Sequence, residues 1–357
     1  GYGRLTVEGG VLVVGDGGIT RDPTAPYRVE YGGSGAVVRA SAGFASPLDA
    51  TLYGTDAAAV AFDAAGFDIA LSGVLGGAGG LNKTGAGRLI LSAANTYLGS
   101  TAVQGGTLLA ANTNGSATGA GPVNVLAGGT LGGTGVIDGA VSVAAGGTLA
   151  PGASVGTLQI GGETVFSDDG VFFAEVAGDS ADLLSTTSNI TLGGATLNVV
   201  PSAPTAGGYI LMVATNAAIA GNFQDAGGSP LGEGAAVPGM PGFFVHYLTS
   251  GRNDYVLLTR SSSSSPVPRF SVIAEDGQAV VRIRTAFELE AAAFNVYRKD
   301  GADWLPVNIA PIPANGTAAS GFEGSYLLTD IGVLEGSSYE YKLVMDDVNG
   351  GHVEYGP

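Results

Sequence analysis

Cysteine is missing from the 357 residues, so disulfides, thiolate-bound metals and a cysteine nucleophile are excluded together. Stability has to come from stacking and packing. Basic residues are scarce: 14 Lys and Arg stand against 31 Asp and Glu, and the net charge of −17 repels phosphate backbones and anionic membrane faces. Nucleic-acid binding is thereby discarded. Membrane insertion of this chain is discarded too, because no run approaches the roughly 18 apolar residues that a spanning helix needs. Only two histidines occur, His246 and His352, without Ser or Asp at a triad-like spacing, and two are too few for a multi-histidine metal site. Helix signals are nearly absent, since the Ala-rich stretch 56–65 lacks caps and is interrupted by Gly66. There is no basic-then-apolar leader, and the start at Gly1 reads as a processed or excised piece.

What is present is glycine and aliphatic residues. Glycine makes up 62 positions without the every-third period of collagen, and 45% of the residues are hydrophobic, which supplies enough apolar surface to offset chain entropy. From Gly1 to about Arg260, short runs of Val, Leu, Ile and Thr are punctuated by Gly-Gly, Gly-Ala or Asn-Gly, the pattern of strands and turns. The segments Gly105–Leu108, Gly128–Leu131 and Gly146–Leu149 all spell Gly-Gly-Thr-Leu, and Leu89, Leu108, Leu131 and Leu149 are spaced by 19, 23 and 18 residues. So short a unit cannot bury its apolar side alone. Stacked coils about 4.8 Å apart supply both the backbone hydrogen bonds and the core. These four leucines are the expected solenoid core, with the neighbouring threonines outward in a ladder and the Gly-Gly pairs at corners of positive φ. About 13 such coils would make a rod on the order of 60 Å. A sandwich of similar hairpins is the alternative, and it leaves the recurrent spelling unexplained.

The stretch Leu81–Leu108, with Lys83-Thr84-Gly85-Ala86-Gly87 and Ala94-Asn95-Thr96-Tyr97, resembles the autotransporter-associated β-strand repeat of bacterial surface and secreted proteins. Gly147-Thr148-Leu149-Ala150-Pro151-Gly152 resembles the closing coils of such passengers, and Arg252–Leu258 resembles their last strand. The resemblance spans residues 69–259 and implies a right-handed parallel β-helix, export to the cell surface or exterior of a bacterium, and a structural or adhesive role. Residues 1–68 share only its composition.

Ser261–Ser265 followed by Pro266-Val267-Pro268 has linker composition, dividing a 1–260 solenoid from a 269–357 module. There glycine thins and alternating runs suggest a seven-strand β-sandwich of the immunoglobulin or fibronectin III kind. Tyr339–Val344, following Leu334-Glu335-Gly336, resembles the penultimate strand of fibronectin type III modules. That resemblance makes Tyr339 the tyrosine-corner candidate and Phe294, Trp304 and Tyr341 the expected core aromatics. The fold class is therefore all-β throughout.

Glycan-cleaving β-helices need carboxylates clustered on one face. The acidic pairs here are Asp168-Asp169, Asp179 with Asp182, and Asp346-Asp347, each beside Gly or Asn. Sequence neighbours on a strand point to opposite faces, so these read as solvated turns, and no catalytic residue and no cofactor is expected. Asp254, in Gly251-Arg252-Asn253-Asp254, is a weak calcium candidate, because glycine-aspartate calcium sites come in tandem copies. The expected function is a secreted or cell-surface structural subunit of a fibre. Its strands Arg4–Val7 and Val11–Val14 begin without a capping helix, so Leu5, Val7, Val11 and Val13 form the expected edge for head-to-tail self-association. The alternatives are an adhesin rod that binds glycans or a surface protein and, less favoured, a glycan-cleaving enzyme. A contiguous exposed aromatic patch in 269–357 would favour binding.

Overall fold

A computed structural model describes residues 3–356 apart from 23, 56–58, 206–207, 251, 261–268, 276, 286–287, 289–290, 315–323, 335 and 348–350. The expected Ser/Pro linker at 261–268 lies outside the described residues. No helix occurs among the described residues, whose strands fall into six sheets.

Up to Thr259 the chain winds into a β-solenoid of about nine turns. Each turn adds a parallel strand to a ten-strand sheet running from Val11–Val14 to Ile219–Ala220, and most add one to an eleven-strand sheet that begins at Phe44–Ser46. Leu89 pairs with Leu108, Leu108 with Leu131 and Leu131 with Leu149. The column continues through Ile69 on one side and Phe172 on the other. All six are fully buried. On the outer side Thr107, Thr130 and Thr148 stand in register, half-buried. Stacking is the physical reason for both rows: alternation sends every second residue inward, and the parallel register repeats that choice from coil to coil.

The expected 13 coils are too many. A turn takes 20 residues from Asn82 to Ala102 and 18 from Asn124 to Ser142, but 26 from Val11 to Val37 and 29 from Thr191 to Ala220. Ten strands at the interstrand spacing give a rod of roughly 43 Å, not 60 Å. The coils widen toward both ends, where no Gly-Gly-Thr-Leu unit sets their length.

The two ends of the solenoid are built differently. In the seven-strand sheet parallel stacking stops at Gly208–Ala214: Asn253–Thr259 adds antiparallel, Phe244–Ser250 pairs with it, and Ala235–Ala236 closes the sheet. The three outermost strands at this end, Ile219–Ala220, Pro230–Leu231 and Ala235–Ala236, are two residues long, which leaves little edge for another strand. At the other end Gly3–Val7 and Val11–Val14 are outermost, paired on one side only among the described residues. Val7 is buried and Leu5 half-buried, whereas Val11 and Val13 are 52% and 59% exposed.

From Arg269 on, a three-strand sheet (Arg269–Glu275, Gln278–Arg284, Ser325–Asp330) and a five-strand sheet share one apolar cluster, distinct from that of the solenoid. The second sheet runs Asp303–Pro306, Ala291–Asp300, Tyr341–Asp347, His352–Tyr355, with Ile312–Pro313 beside Ala291–Asp300. Phe294 is fully buried, its ring 5.1 Å from that of Tyr326 in the other sheet. Tyr341 is buried in the same cluster; Tyr339 is half-buried just before that strand, its hydroxyl accepting the Leu334 N–H at 2.9 Å. Trp304 departs from expectation. It stands on the edge strand opposite Lys299, half-exposed and outside the core cluster.

Candidate functional sites

Among the described residues the solenoid interior holds one lysine, Lys83. Alternation from Leu81 sends Lys83 inward, where it lies between Phe62 and Val103 in a column that is otherwise apolar. The side chain is fully buried. Its Nζ donates to the carbonyls of Thr84, Gly85 and Gly105 at 2.9, 2.7 and 2.8 Å, using all three ammonium hydrogens on the corners of two successive coils. Burial pulls its pKa down to about 8, opposed by the Asp63 carboxylate. Gly106 completes the corner: at φ 64° a Cβ there would come within 2.7 Å of Nζ and 2.4 Å of the Gly87 carbonyl, so no other residue fits.

Two buried asparagines serve the backbone as well. Between Leu91 and Thr101 the coil has no strand on its third side, and Asn95 takes over: its Oδ1 accepts the Leu75 N–H at 2.8 Å and its Nδ2 donates to the Ala117 carbonyl at 2.6 Å, linking three coils. One coil later Asn112 accepts the Val136 N–H and donates to the Asn114 and Gly115 carbonyls. Tyr97, fully buried, shares a 2.6 Å hydroxyl bond with Thr101. The two asparagines clasp successive coils together.

Of the acidic pairs, Asp179 with Asp182 is corrected by the structure. Asp182 is 1% exposed, not a solvated turn. Its two oxygens accept the Gly156 and Glu175 N–H groups at 2.9 and 2.8 Å, and burial, offset by those bonds, raises its pKa to about 6. Asp179 turns instead to the Thr205 hydroxyl. Asp169 accepts from Gln224 Nε2 at 3.0 Å, and Asp346 from Asn295 Nδ2 at 2.6 Å. Asp254, the weak calcium candidate, has a structural use: its Oδ2 accepts the Ile219 N–H at 2.9 Å, tying the closing hairpin to the last strand of the ten-strand sheet. Among the described residues no three acidic or histidine side chains gather as a metal site would require. Buried His246 lies in that closing hairpin, Nδ1 2.5 Å from Glu233 Oε1.

The C-terminal unit carries a different arrangement, on the outer face of its five-strand sheet. Phe294 and Val296 face the core, so Asn295, Tyr297 and Lys299 lie on the opposite face, joined by Lys342 and Asp346 of the neighbouring strand and Trp304 of the edge strand. Lys342 sits between two rings, Nζ 5.6 Å from the Tyr297 centroid and 5.1 Å from that of Trp304. Lys299 Nζ is 5.9 Å from the Trp304 centroid. Each lysine also meets a carboxylate, Glu340 at 2.6 Å and Glu354 at 2.8 Å. Sequence reasoning placed Trp304 in the core and missed this face; the signal was Trp304 on a short strand between charged and proline residues.

Comparison with curated proteins finds no relative of the chain. Residues 81–110 match the family model of the passenger-associated-transport-repeat, the segment that holds Lys83, Asn95, Tyr97 and Leu108. The repeat is one of secreted and cell-surface proteins of Gram-negative bacteria. With that match at its centre, the stacked solenoid fits the β-helix of an autotransporter passenger.

Proposed function

We propose that the chain is a non-catalytic structural element of the bacterial exterior, a passenger-type rod that carries a fibronectin III-like module at its C-terminal end. The observation that carries this reading is the use of the buried polar groups: Lys83, Asn95, Asn112 and Asp182 are all spent on backbone groups of the solenoid itself. A catalytic solenoid keeps such groups aimed at a groove. The module reading is supported by the strand order of the two sheets and by the bond from Leu334 N–H to the Tyr339 hydroxyl, the geometry of a tyrosine corner. Immunogold labelling of intact Gram-negative cells that express the protein tests the reading. Label on the outer surface or in released fibres is expected, and label confined to the cytoplasm overturns it.

Self-association is part of the proposal, and the exposed Val11 and Val13 favour one geometry for it. The solenoid's far end presents only two-residue strands, so a head-to-tail contact joins the Gly3–Val7 and Val11–Val14 edge of one copy to the C-terminal module of the next. Sedimentation over a concentration series reads it. A monomer at every concentration removes the fibre, leaving a monomeric rod.

A further inference from the structure

We infer that the outer face of the five-strand sheet, around Tyr297 and Trp304, is a binding platform for a neutral hexopyranose oligosaccharide. This deepens the adhesive side of the proposed function and rests on it for biological meaning.

The inference starts from the juxtaposition of two half-exposed rings with hydrogen-bonding groups between and beside them. A pyranose presents apolar C–H faces and a rim of hydroxyls. Rings take the first by stacking, and a few fixed polar groups take the second and set orientation. Both kinds of group are present and already positioned. Lys342 is held between Tyr297 and Trp304 and by Glu354, and Asn295 is locked to Asp346 at 2.6 Å. Groups fixed before the ligand arrives lose little conformational freedom on binding.

Charge selects among glycans. The two lysines of the face are each paired, while Glu340, Glu354 and Asp346 share it and the whole chain carries −17. An anionic polysaccharide or a phosphate would meet net repulsion. The same composition disfavours a protein partner, because the centre of a protein interface is depleted of charged side chains, whereas here two lysines and their carboxylates surround the rings.

Trp304 is the chain's single tryptophan, so intrinsic tryptophan fluorescence reports directly on this face. Purified full chain is titrated with cellohexaose, laminarihexaose and mannohexaose, with hexagalacturonate as the anionic control. A saturable change with at least one neutral sugar is expected, and Tyr297→Ala and Asp346→Ala should each weaken it, the former by about tenfold or more. Circular dichroism melts accompany both variants, and Trp304→Phe, followed by calorimetry, should retain binding because a ring remains. No saturable response to any neutral sugar, a response to hexagalacturonate alone, or binding that both folded variants leave unchanged overturns the platform. Its failure is distinct from that of the surface-rod reading, since labelling of cells reads location and the titration reads only the face.

Discussion

The solenoid and the C-terminal unit solve the same problem, covering strands with apolar surface, in different ways. In the solenoid the polar and charged groups that matter lie inside, Lys83, Asn95 and Asp182 among them, and each is consumed by the backbone of neighbouring coils. No Lys or Arg occurs between Arg88 and Arg252, and the outward row of the ten-strand sheet, Asn82, Ala102, Asn124 and Ser142, is small and uncharged. The C-terminal unit also buries polar groups, Glu288 bonded to Thr285 and Tyr326 and Asp330 bonded to Arg298 and Tyr341, but it carries a second organised set outside, on the Tyr297–Trp304 face. Polar groups turned inward hold a shape; polar groups turned outward and held in place are available to a ligand. The difference follows from how each part closes. A parallel coil must satisfy its corners from within, whereas antiparallel strands pair fully and leave side chains free.

The comparison breaks most visibly at the leucine column. Leu131→Asp puts an unpaired carboxylate between Leu108 and Leu149 and should destabilise the solenoid by more than about 4 kcal/mol. A two-phase thermal melt followed by circular dichroism should lose its solenoid phase alone; an unchanged melt would refute stacking. The converse is Phe294→Ala, which opens a cavity beside Tyr326 and should cost the C-terminal unit about 3–5 kcal/mol while sparing the solenoid. If both phases shift together, the two parts are one cooperative unit.

A smaller effect tests the inward cation. Lys83→Met keeps the apolar stem but strips three buried carbonyls of their donor, so a loss of about 1–3 kcal/mol is expected. The wild-type protein should also gain stability as pH rises from about 8 to 10.5. In that interval the unfolded lysine still binds its proton and the folded one, lowered by burial, has released it. Denaturant midpoints across this range should show the rise in wild type and not in the variant.

The smallest effect concerns Asp182. Its folded pKa of about 6 lies above the ordinary 3.8, so the folded state holds the extra proton between those values. Stability is therefore fullest below about pH 4 and is lost as pH rises through 6, by about 1–3 kcal/mol at most. Asp182→Asn removes the pH dependence, and chemical denaturation at pH 4 and pH 7 reads the difference.

Much of this was legible in residues 81–149, because a repeat states its own register: three copies of Gly-Gly-Thr-Leu align the leucines before any coordinates are known. Lys83 was legible in part, since it follows Leu81 by two and must share its side of the strand. Its carbonyl partners were not, because Gly105 lies 22 residues on and is reached only by stacking. The number of coils was misjudged where the repeat gives out. Asp182 reads as an exposed turn residue because its pair partner Asp179 follows Gly178, although the coil folds over it.

By itself, the sequence determined that this chain is all-β, that its middle is a stack of coils and that it holds no cysteine and only two histidines. Those properties depend on composition and period, which are local and repeated. Only the tertiary structure decided that one end of the solenoid is closed by antiparallel strands and that, of the four residues expected at the other edge, Val11 and Val13 are exposed while Val7 is buried. It also decided that Trp304 stands outside the core with Tyr297 and Lys342. Each of these rests on contacts between strands distant in sequence and present once in the molecule, so no repeat announces them.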